Sequence, residues 1–239
     1  MLYLYSTLTF HPVSPVLLCE NYYERTVMRI AVLFLLICVF PLAHAQVDAP
    51  PAYPREGATK LLENQHVIVW DISWLKQDYP IHRHRYDHTG VYYSPGERII
   101  TSNEGEAREV QTPAWGISFQ LAGVTHTESG ISDEPLRAVF IQIKRRVTGG
   151  NELASSLPRF PSDAPLERRS NERVRVWEYD ESLLNTASAN SSAHYHDHDA
   201  VVVWFDADTR PNVHFVSQGA IHSSDIPSAA TRVFIFEIL

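Results

Sequence analysis

Cysteine is nearly absent from this chain, since its 239 residues include only Cys19 and Cys38, both close to the N-terminus. We therefore expect no disulfide framework, thiolate metal site or cysteine nucleophile in the rest of the protein. Runs of Lys and Arg are missing too, and the net charge of −8 repels phosphate backbones, which argues against a nucleic-acid partner. The sequence has no Gly-x-Ser-x-Gly elbow, glycine-rich phosphate loop or dinucleotide fingerprint, so it supports neither a serine hydrolase nor a nucleotide cofactor.

Long hydrophobic runs are also scarce, and the only marked one has the pattern of a secretory signal. Met28-Arg29 precedes the apolar run 30–40, and the small-residue pattern Ala43-His44-Ala45 follows it. The run is too short for a stable membrane anchor, so we predict a cleavable signal peptide over 28–45 and a secreted or periplasmic protein. Residues 1–27 make a poor signal n-region, and we interpret them as an upstream extension ahead of the true start.

The remaining chain contains an internal repeat, which we take as the basis of its organisation. Both copies open and close with runs of β-branched and aromatic residues, and each carries a His-x-His motif followed by a later histidine. The matched segments, in order, are 67–71 with 174–178, 82–84 with 194–196, 123–126 with 219–222, and 137–143 with 232–238.

These patterns predict an all-β protein with little helix. Short β segments divided by Asn, Gly, Pro and Asp are typical of sandwiches and barrels. We predict an N-terminal extension over 46–63, a first barrel over 64–143 and a second barrel over 171–239. Between the barrels, the Gly- and Pro-rich stretch 144–170 predicts an irregular linker.

The repeated histidines predict metal binding. Alternate residues of a strand face the same side, so His82 and His84 can point together into a barrel and meet His126 from another strand. The same argument assembles His194, His196 and His222 into a second site. Imidazole binds Fe, Mn, Zn, Ni and Cu, and three histidines leave coordination positions open. We expect a divalent transition metal without assigning its identity.

These motifs resemble those of the cupins, and their duplication resembles a bicupin. The resemblance implies two double-stranded β-helix barrels of jelly-roll type in tandem. Cupins carry a Glu four residues after the second histidine, whereas this chain has His88 in the first copy and Ala200 in the second. His88 is then either a fourth ligand or lies outside a three-histidine site. Cupin sites without the Glu include three-histidine dioxygenases, so its loss leaves metal binding intact.

The resemblance implies a metal-dependent enzyme of dioxygenase, decarboxylase, lyase or isomerase type that acts on a small organic molecule. The first copy, with longer loops and the additional histidine, is the better candidate for catalysis, although no catalytic residue is assigned. The alternative is a non-catalytic ligand-binding or scaffold protein with structural metal or none. Pairing of barrels within the chain is favoured because exposed sheet edges need protection, and a homodimer remains open.

Other polar and aromatic residues near the motifs have structural interpretations. Asp87 and Asp199 have opposite parity to the histidines, which favours turns or outer hydrogen bonds. Strand-end salt bridges are expected for Arg137 and Arg232. Core positions are expected for Tyr92, Trp115 and Phe119, although each of them can also line a pocket. His66 and His214 have no evident counterpart in the repeat.

N-terminal sequencing of the protein exported from its native host tests the signal-peptide prediction. We expect the mature chain to begin at Gln46, because signal peptidase cleaves after a small-residue pattern such as Ala43-His44-Ala45. A mature chain that begins at Met1 or Met28 would contradict cleavage.

Overall fold

The described part of the protein is nearly all β, which confirms the predicted fold class. This computed structural model describes residues 49–144, 156–161, 165–186, 193–223 and 228–239. The predicted signal peptide and upstream extension lie outside these residues. None of the described helices has the length and apolar character needed to cross a bilayer.

Nine strands form the first copy. Their bounds are β1 (Ala58–Glu63), β2 (Val67–Trp74), β3 (Asp78–Arg83), β4 (Asp87–Ser94), β5 (Gly96–Ser102), β6 (Ala107–Thr112), β7 (Ile117–Gln120), β8 (Thr125–Gly130) and β9 (Leu136–Ile143). One sheet has the order β1-β2-β9-β4-β7 and the other has the order β3-β8-β5-β6. From β2 to β5 the chain alternates between the two sheets, and all the pairings are antiparallel. This crossing pattern is that of a jelly roll.

The second copy repeats the larger sheet of the first. Its elements are β10 (Leu166–Ser170), β11 (Val174–Tyr179), α1 (Glu181–Thr186), β12 (Asp199–Phe205), β13 (Pro211–Val216) and β14 (Arg232–Ile238). The sheet order is β10-β11-β14-β12-β13, which matches the first copy strand for strand. In the described residues, the layer opposite this sheet contains only isolated bridges, among them His194 to His222.

The register of the two sheets is the same as well. Val67 pairs with Ile143 in the first copy, and Val174 pairs with Ile238 in the second. Each copy also has a register shift in its edge pair, before Leu62 and before Arg169. The repeat is therefore present in the structure as well as in the sequence.

Each sheet begins with an edge strand that lies upstream of the predicted barrel start. Strand β1 falls in the predicted extension, and β10 falls in the stretch that we expected to be irregular. Strand β10, which has the sequence Leu-Glu-Arg-Arg-Ser, is exposed or half-buried throughout. It therefore lacks the apolar alternation by which strands are recognised in sequence.

The five-stranded sheets pack against each other face to face. One hydrophobic cluster contains residues from both copies, including Val69, Ile141, Val176 and Phe236. Aromatic contacts cross the same interface, since the ring centroids of Trp115 and Phe205 lie 5.1 Å apart. Trp115 thus joins the two copies through the core that they share.

Burial on both faces explains the composition of the central strands. Strand β9 faces the shared core on one side and the interior of the first copy on the other, where Phe140 and Ala138 lie. Six of the seven residues of β14 are buried. Strands that are covered on both faces read as continuous apolar runs instead of alternating ones.

Reciprocal ion pairs connect the copies. Asp87 accepts a hydrogen bond from Nε of Arg173 at 2.6 Å, and Asp199 lies 3.1 Å from Nδ1 of His66. His66 and Arg173 occupy the same position in the repeat, each two residues after an Asn that caps the turn (Asn64 in the first copy). His66 therefore does have a counterpart. It was missed because the two side chains differ in residue type, although each lies against an aspartate of the opposite copy.

Replacing Arg173 with Ala tests the interface. The Arg173 and Asp87 side chains are only 19% and 16% exposed, so removal of the Arg173 guanidinium leaves a largely buried Asp87 carboxylate without this partner. We expect the free energy of unfolding to fall by about 2 kcal/mol in chemical denaturation. Arg210 is 71% exposed and pairs within its own loop, so Arg210→Ala is the matched control and should change stability by less than about 0.5 kcal/mol. Equal effects of the two variants would contradict the interface role of Arg173.

Candidate metal centres

The first histidine triad is assembled by the pairing of strands β3 and β8. His82 stands directly opposite His126 in the antiparallel register of these strands. His84 follows β3 immediately, and its backbone N–H donates to the carbonyl of Val124. All three histidines are buried, and their ligand nitrogens lie within 4.8 Å of one another. The structure therefore brings the three predicted residues together.

The nitrogen positions and charge state of this triad suit a metal ion. Nε2 of His84 and Nε2 of His126 lie 3.2 Å apart. Two nitrogens about 2.1 Å from a tetrahedrally bound zinc ion have a similar separation. Burial lowers the pKa of His84 to about 2 and that of His126 to about 4, so both rings are neutral at pH 7, the form that ligates a metal.

His82 is oriented by a backbone carbonyl. Its Nδ1 lies 3.0 Å from the carbonyl oxygen of Pro80. Donation of Nδ1–H to this oxygen leaves the lone pair on Nε2, which is then the atom available to a metal ion. Such a contact behind the ligand sets both the tautomer and the ring direction of a metal-binding histidine.

His88 lies beside this triad but on a different strand. Residues 84–86 form the connection between β3 and β4, so His82 and His88 do not belong to one continuous strand. The imidazole stacks on His84 with centroids 4.5 Å apart and lies 5.0 Å from the ring of Phe140. It is buried but is not among the three residues grouped as candidate ligands. Ligation by His88 stays a prediction.

Glu128 is a site residue that sequence reasoning missed. Its carboxylate oxygens lie 4.0 Å from Nε2 of His82 and 3.9 Å from Nε2 of His126. The indole N–H of Trp74 donates to Glu128 at 2.8 Å, and Arg98 lies 3.3 Å away. The positive charge of Arg98 lowers the pKa of Glu128 against the opposing effect of burial. The available signal was strand parity, because Glu128 lies two residues after His126 on one strand.

A cavity of about 120 Å³ opens onto the first triad. Its polar lining includes His84, His126 and Glu128, and its apolar lining includes Phe119 and Phe140. Tyr92 and Phe119 thus line a pocket, and Tyr92 also belongs to the core of the first copy. Trp115 packs against the core between the copies, as expected for a core position. The cavity gives a small molecule a place next to the histidines.

The second triad repeats the geometry of the first. His194 and His222 face each other in an antiparallel bridge, as His82 and His126 do. His196 completes the group, again with all ligand atoms within 4.8 Å. Oε1 of Glu237 lies 3.7 Å from Nδ1 of His196, and its Oε2 accepts a hydrogen bond from Trp177.

Phe160 covers part of the second triad. Its ring stacks on His196 with centroids 4.4 Å apart and is itself buried. Its backbone N–H donates to the carbonyl of Tyr195, the middle residue of the motif. In the first copy the equivalent donor is Ala52, which contacts Arg83 and has no ring to place over the histidines. The two sites therefore differ in how closely a side chain covers them.

Other predicted roles are as expected. Asp87 and Asp199 accept backbone N–H groups from Ala122 and Gln218, in addition to their interface pairs. At the strand ends, Arg137 pairs with Asp71 and Arg232 pairs with Glu178. His214 belongs to β13 and pairs with Val202 in the sheet.

The metal-free protein should lose stability as the pH falls. Burial lowers the pKa of His88 from 6.5 to about 4, so between these values the unfolded state binds a proton that the folded state does not. A buried histidine with such a lowered pKa reduces the free energy of unfolding by up to about 1.4 kcal/mol for each pH unit by which the pH falls between its unfolded and its folded pKa. We expect His88→Gln to flatten this slope in denaturation experiments with chelator between pH 4.5 and 7. Identical slopes for the variant and the wild type would show that His88 is not held neutral.

Comparison with solved structures returns cupin-domain proteins. A cupin domain from Bordetella pertussis Tohama I is 26% identical, with a TM-score of 0.35, over 39% of this chain and 99% of that chain. A cupin-2 domain protein from Shewanella frigidimarina is 13% identical, with a TM-score of 0.29, over 38% of this chain and 83% of that chain. The polyketide cyclase RemF from Streptomyces resistomycificus is 16% identical, with a TM-score of 0.31, over 42% of this chain and 77% of that chain.

No model of a protein family matches the sequence, and no curated protein matches it. Within the chain itself, strands alternate between two antiparallel sheets, and the histidines of the first triad lie on or directly beside paired strands of one of them. The first copy therefore has a jelly-roll fold.

Proposed function

We propose that the protein is a metal-dependent enzyme whose active centre is the first histidine triad. The observation that carries this proposal is the cavity beside His84 and His126, which gives a small organic molecule access to a metal bound there. A concave pocket with convergent polar groups is where a small molecule binds by default. His82, His84 and His126 would hold the ion.

A divalent metal bound there would act as a Lewis acid on a bound oxygen atom of the substrate or would lower the pKa of bound water. The surrounding residues orient and enclose the substrate. Phe119 and Phe140 supply apolar walls that exclude water, while Trp74 and Arg98 hold the Glu128 carboxylate in place near the triad. Resemblance to cupins supports a dioxygenase, decarboxylase, lyase or isomerase, and the fold alone does not choose between them.

The second triad is proposed to bind a structural metal. The ring of Phe160 stacked on His196 favours this role, because it occupies space that a substrate would need. Structural metal sites are closed, whereas catalytic ones keep a position open. If the first site proves to be closed in solution as well, the alternative function is favoured, namely a ligand-binding or scaffold protein.

We further propose that the chain is a bicupin, exported to the periplasm or the medium with cleavage after Ala45. The matched sheet order of the two copies supports the bicupin assignment. The sequence between Met28 and Ala45 is the support for export. With both cysteines removed by this cleavage, the mature protein would rely on metal and packing for its stability.

Metal analysis of the protein, purified without an affinity tag or added metal, tests the proposal. We expect close to two equivalents of a transition metal per chain, with a loss of one equivalent in His126→Ala and of one in His222→Ala. The exposed residue Arg210 provides the control, since Arg210→Ala should retain both. A wild-type protein that takes up no metal even after reconstitution would exclude a metal-dependent function.

Stability measurements on the same variants separate the two roles. A ligand that binds only the folded state, present at 1,000 times its dissociation constant, stabilises it by about 4 kcal/mol. We expect chelation to lower the melting temperature of the wild type, and we expect His222→Ala to remove most of that effect. His126→Ala should abolish turnover while the protein remains folded. If His126→Ala lost stability and the wild type had no activity, the first site would be structural.

A further inference from the structure

We infer that the cavity beside the first triad is a binding site for the carboxylate group of a small organic acid. This inference deepens the proposed function and rests on it, because it names the substrate class of the same site. Three features of the cavity indicate a carboxylate ligand: its unsatisfied hydrogen-bond donors, its charge and its size.

Nitrogen donors line this cavity without partners. Arg98 is only 8% exposed, and its Nε makes no hydrogen bond, although its other nitrogens contact Tyr92 and Glu128. The side-chain nitrogen of Gln120 is also buried and unpaired, as is Nδ1 of His88. Leaving a buried donor unsatisfied is energetically unfavourable, so such donors mark positions where a ligand or ordered water supplies acceptors.

The carboxylate of the cavity is already engaged, which bears on the chemistry of the missing partner. One oxygen of Glu128 accepts from Trp74 and the other faces Arg98. A ligand that brings acceptor atoms therefore complements the lining better than one that brings donors.

The charges of the lining favour an anion. The cavity contains one carboxylate, Glu128, and two guanidinium groups, those of Arg98 and Arg108. Arg98 offsets Glu128, while Arg108 is exposed and contributes an additional positive charge. A guanidinium group is the side chain best suited to bind a carboxylate.

The size of the cavity limits the ligand to a short chain. Its volume of about 120 Å³ corresponds to roughly four water molecules. Drug-sized ligands occupy pockets of about 300 Å³ or more. Apolar contacts are available from Trp74, Ile100 and Phe140, which suits a carboxylate attached to a few carbon atoms.

Ligand-observed NMR titration with propionate and propionamide tests the inference, because the two probes have nearly the same shape but only the first is a carboxylate. The measurements use the full mature chain, and the metal content of every sample is determined separately. We expect propionate to bind at least 10-fold more tightly than propionamide. Octanoate, which is too long for the cavity, should bind no better than propionamide.

Variants assign the binding to the cavity. Gln120→Leu keeps the size of the side chain and removes its donor, and it should weaken propionate binding about 10-fold. Arg98→Lys keeps the charge but removes the Nε donor and the fork geometry, and it should weaken binding at least as much. Gln111→Leu is the matched control on the exposed strand β6 and should bind propionate as the wild type does.

Equal affinities for propionate and propionamide, or no binding of propionate, would overturn the inference. Binding that the Gln120→Leu and Arg98→Lys variants leave unchanged would also overturn it, because the carboxylate would then be held by the metal alone. Failure of the proposed function is distinguishable, since it would appear as absence of metal in the wild type. Propionate binding to such metal-free protein, weakened by Gln120→Leu, would still support a carboxylate site.

Discussion

Packing of the two five-stranded sheets against each other is the constraint on which the rest of the structure depends. Val69 and Ile141 of one copy share a cluster with Val176 and Phe236 of the other. Because the inner face of each sheet is also buried, the central strands β9 and β14 have apolar residues on both sides. Burial of this much apolar surface is the main favourable term in folding. Strands β4 and β9 belong both to this interface and to the interior of the first copy, so the same packing positions His88 of β4 beside the first triad.

Polar residues at the edge of this interface give the packing its specificity. Asp87 and Asp199 each lie against a nitrogen-bearing side chain of the opposite copy and also accept a backbone N–H of a loop in their own copy. The loop held by Asp87 lies just before the strand that carries His126. The same aspartate thus connects the interface between copies with the position of a candidate metal ligand, although it has no part in ligation itself.

The two histidine triads share their backbone geometry and differ in what surrounds them. Both are built on an antiparallel pairing of the first and third histidines. Around the first triad, buried groups such as Arg98 and Gln120 leave donors free and enclose a cavity. Around the second, Phe160 fills the space above His196. The two triads thus differ in the side chains beside them, which is the basis for proposing different roles.

The sequence by itself determined the all-β class, the repeat and the membership of both triads, because strand periodicity and matched motifs are local properties of the chain. Strand β10 escaped recognition, since an exposed edge strand carries no apolar alternation. The place of His88 on a separate strand was not evident from the sequence, because residues 84–86 interrupt the strand between His82 and His88. Only the tertiary structure decided that Glu128, Arg98 and Gln120 meet beside the histidines. Their proximity depends on the pairing and packing of strands distant in sequence, and no local pattern encodes such contacts.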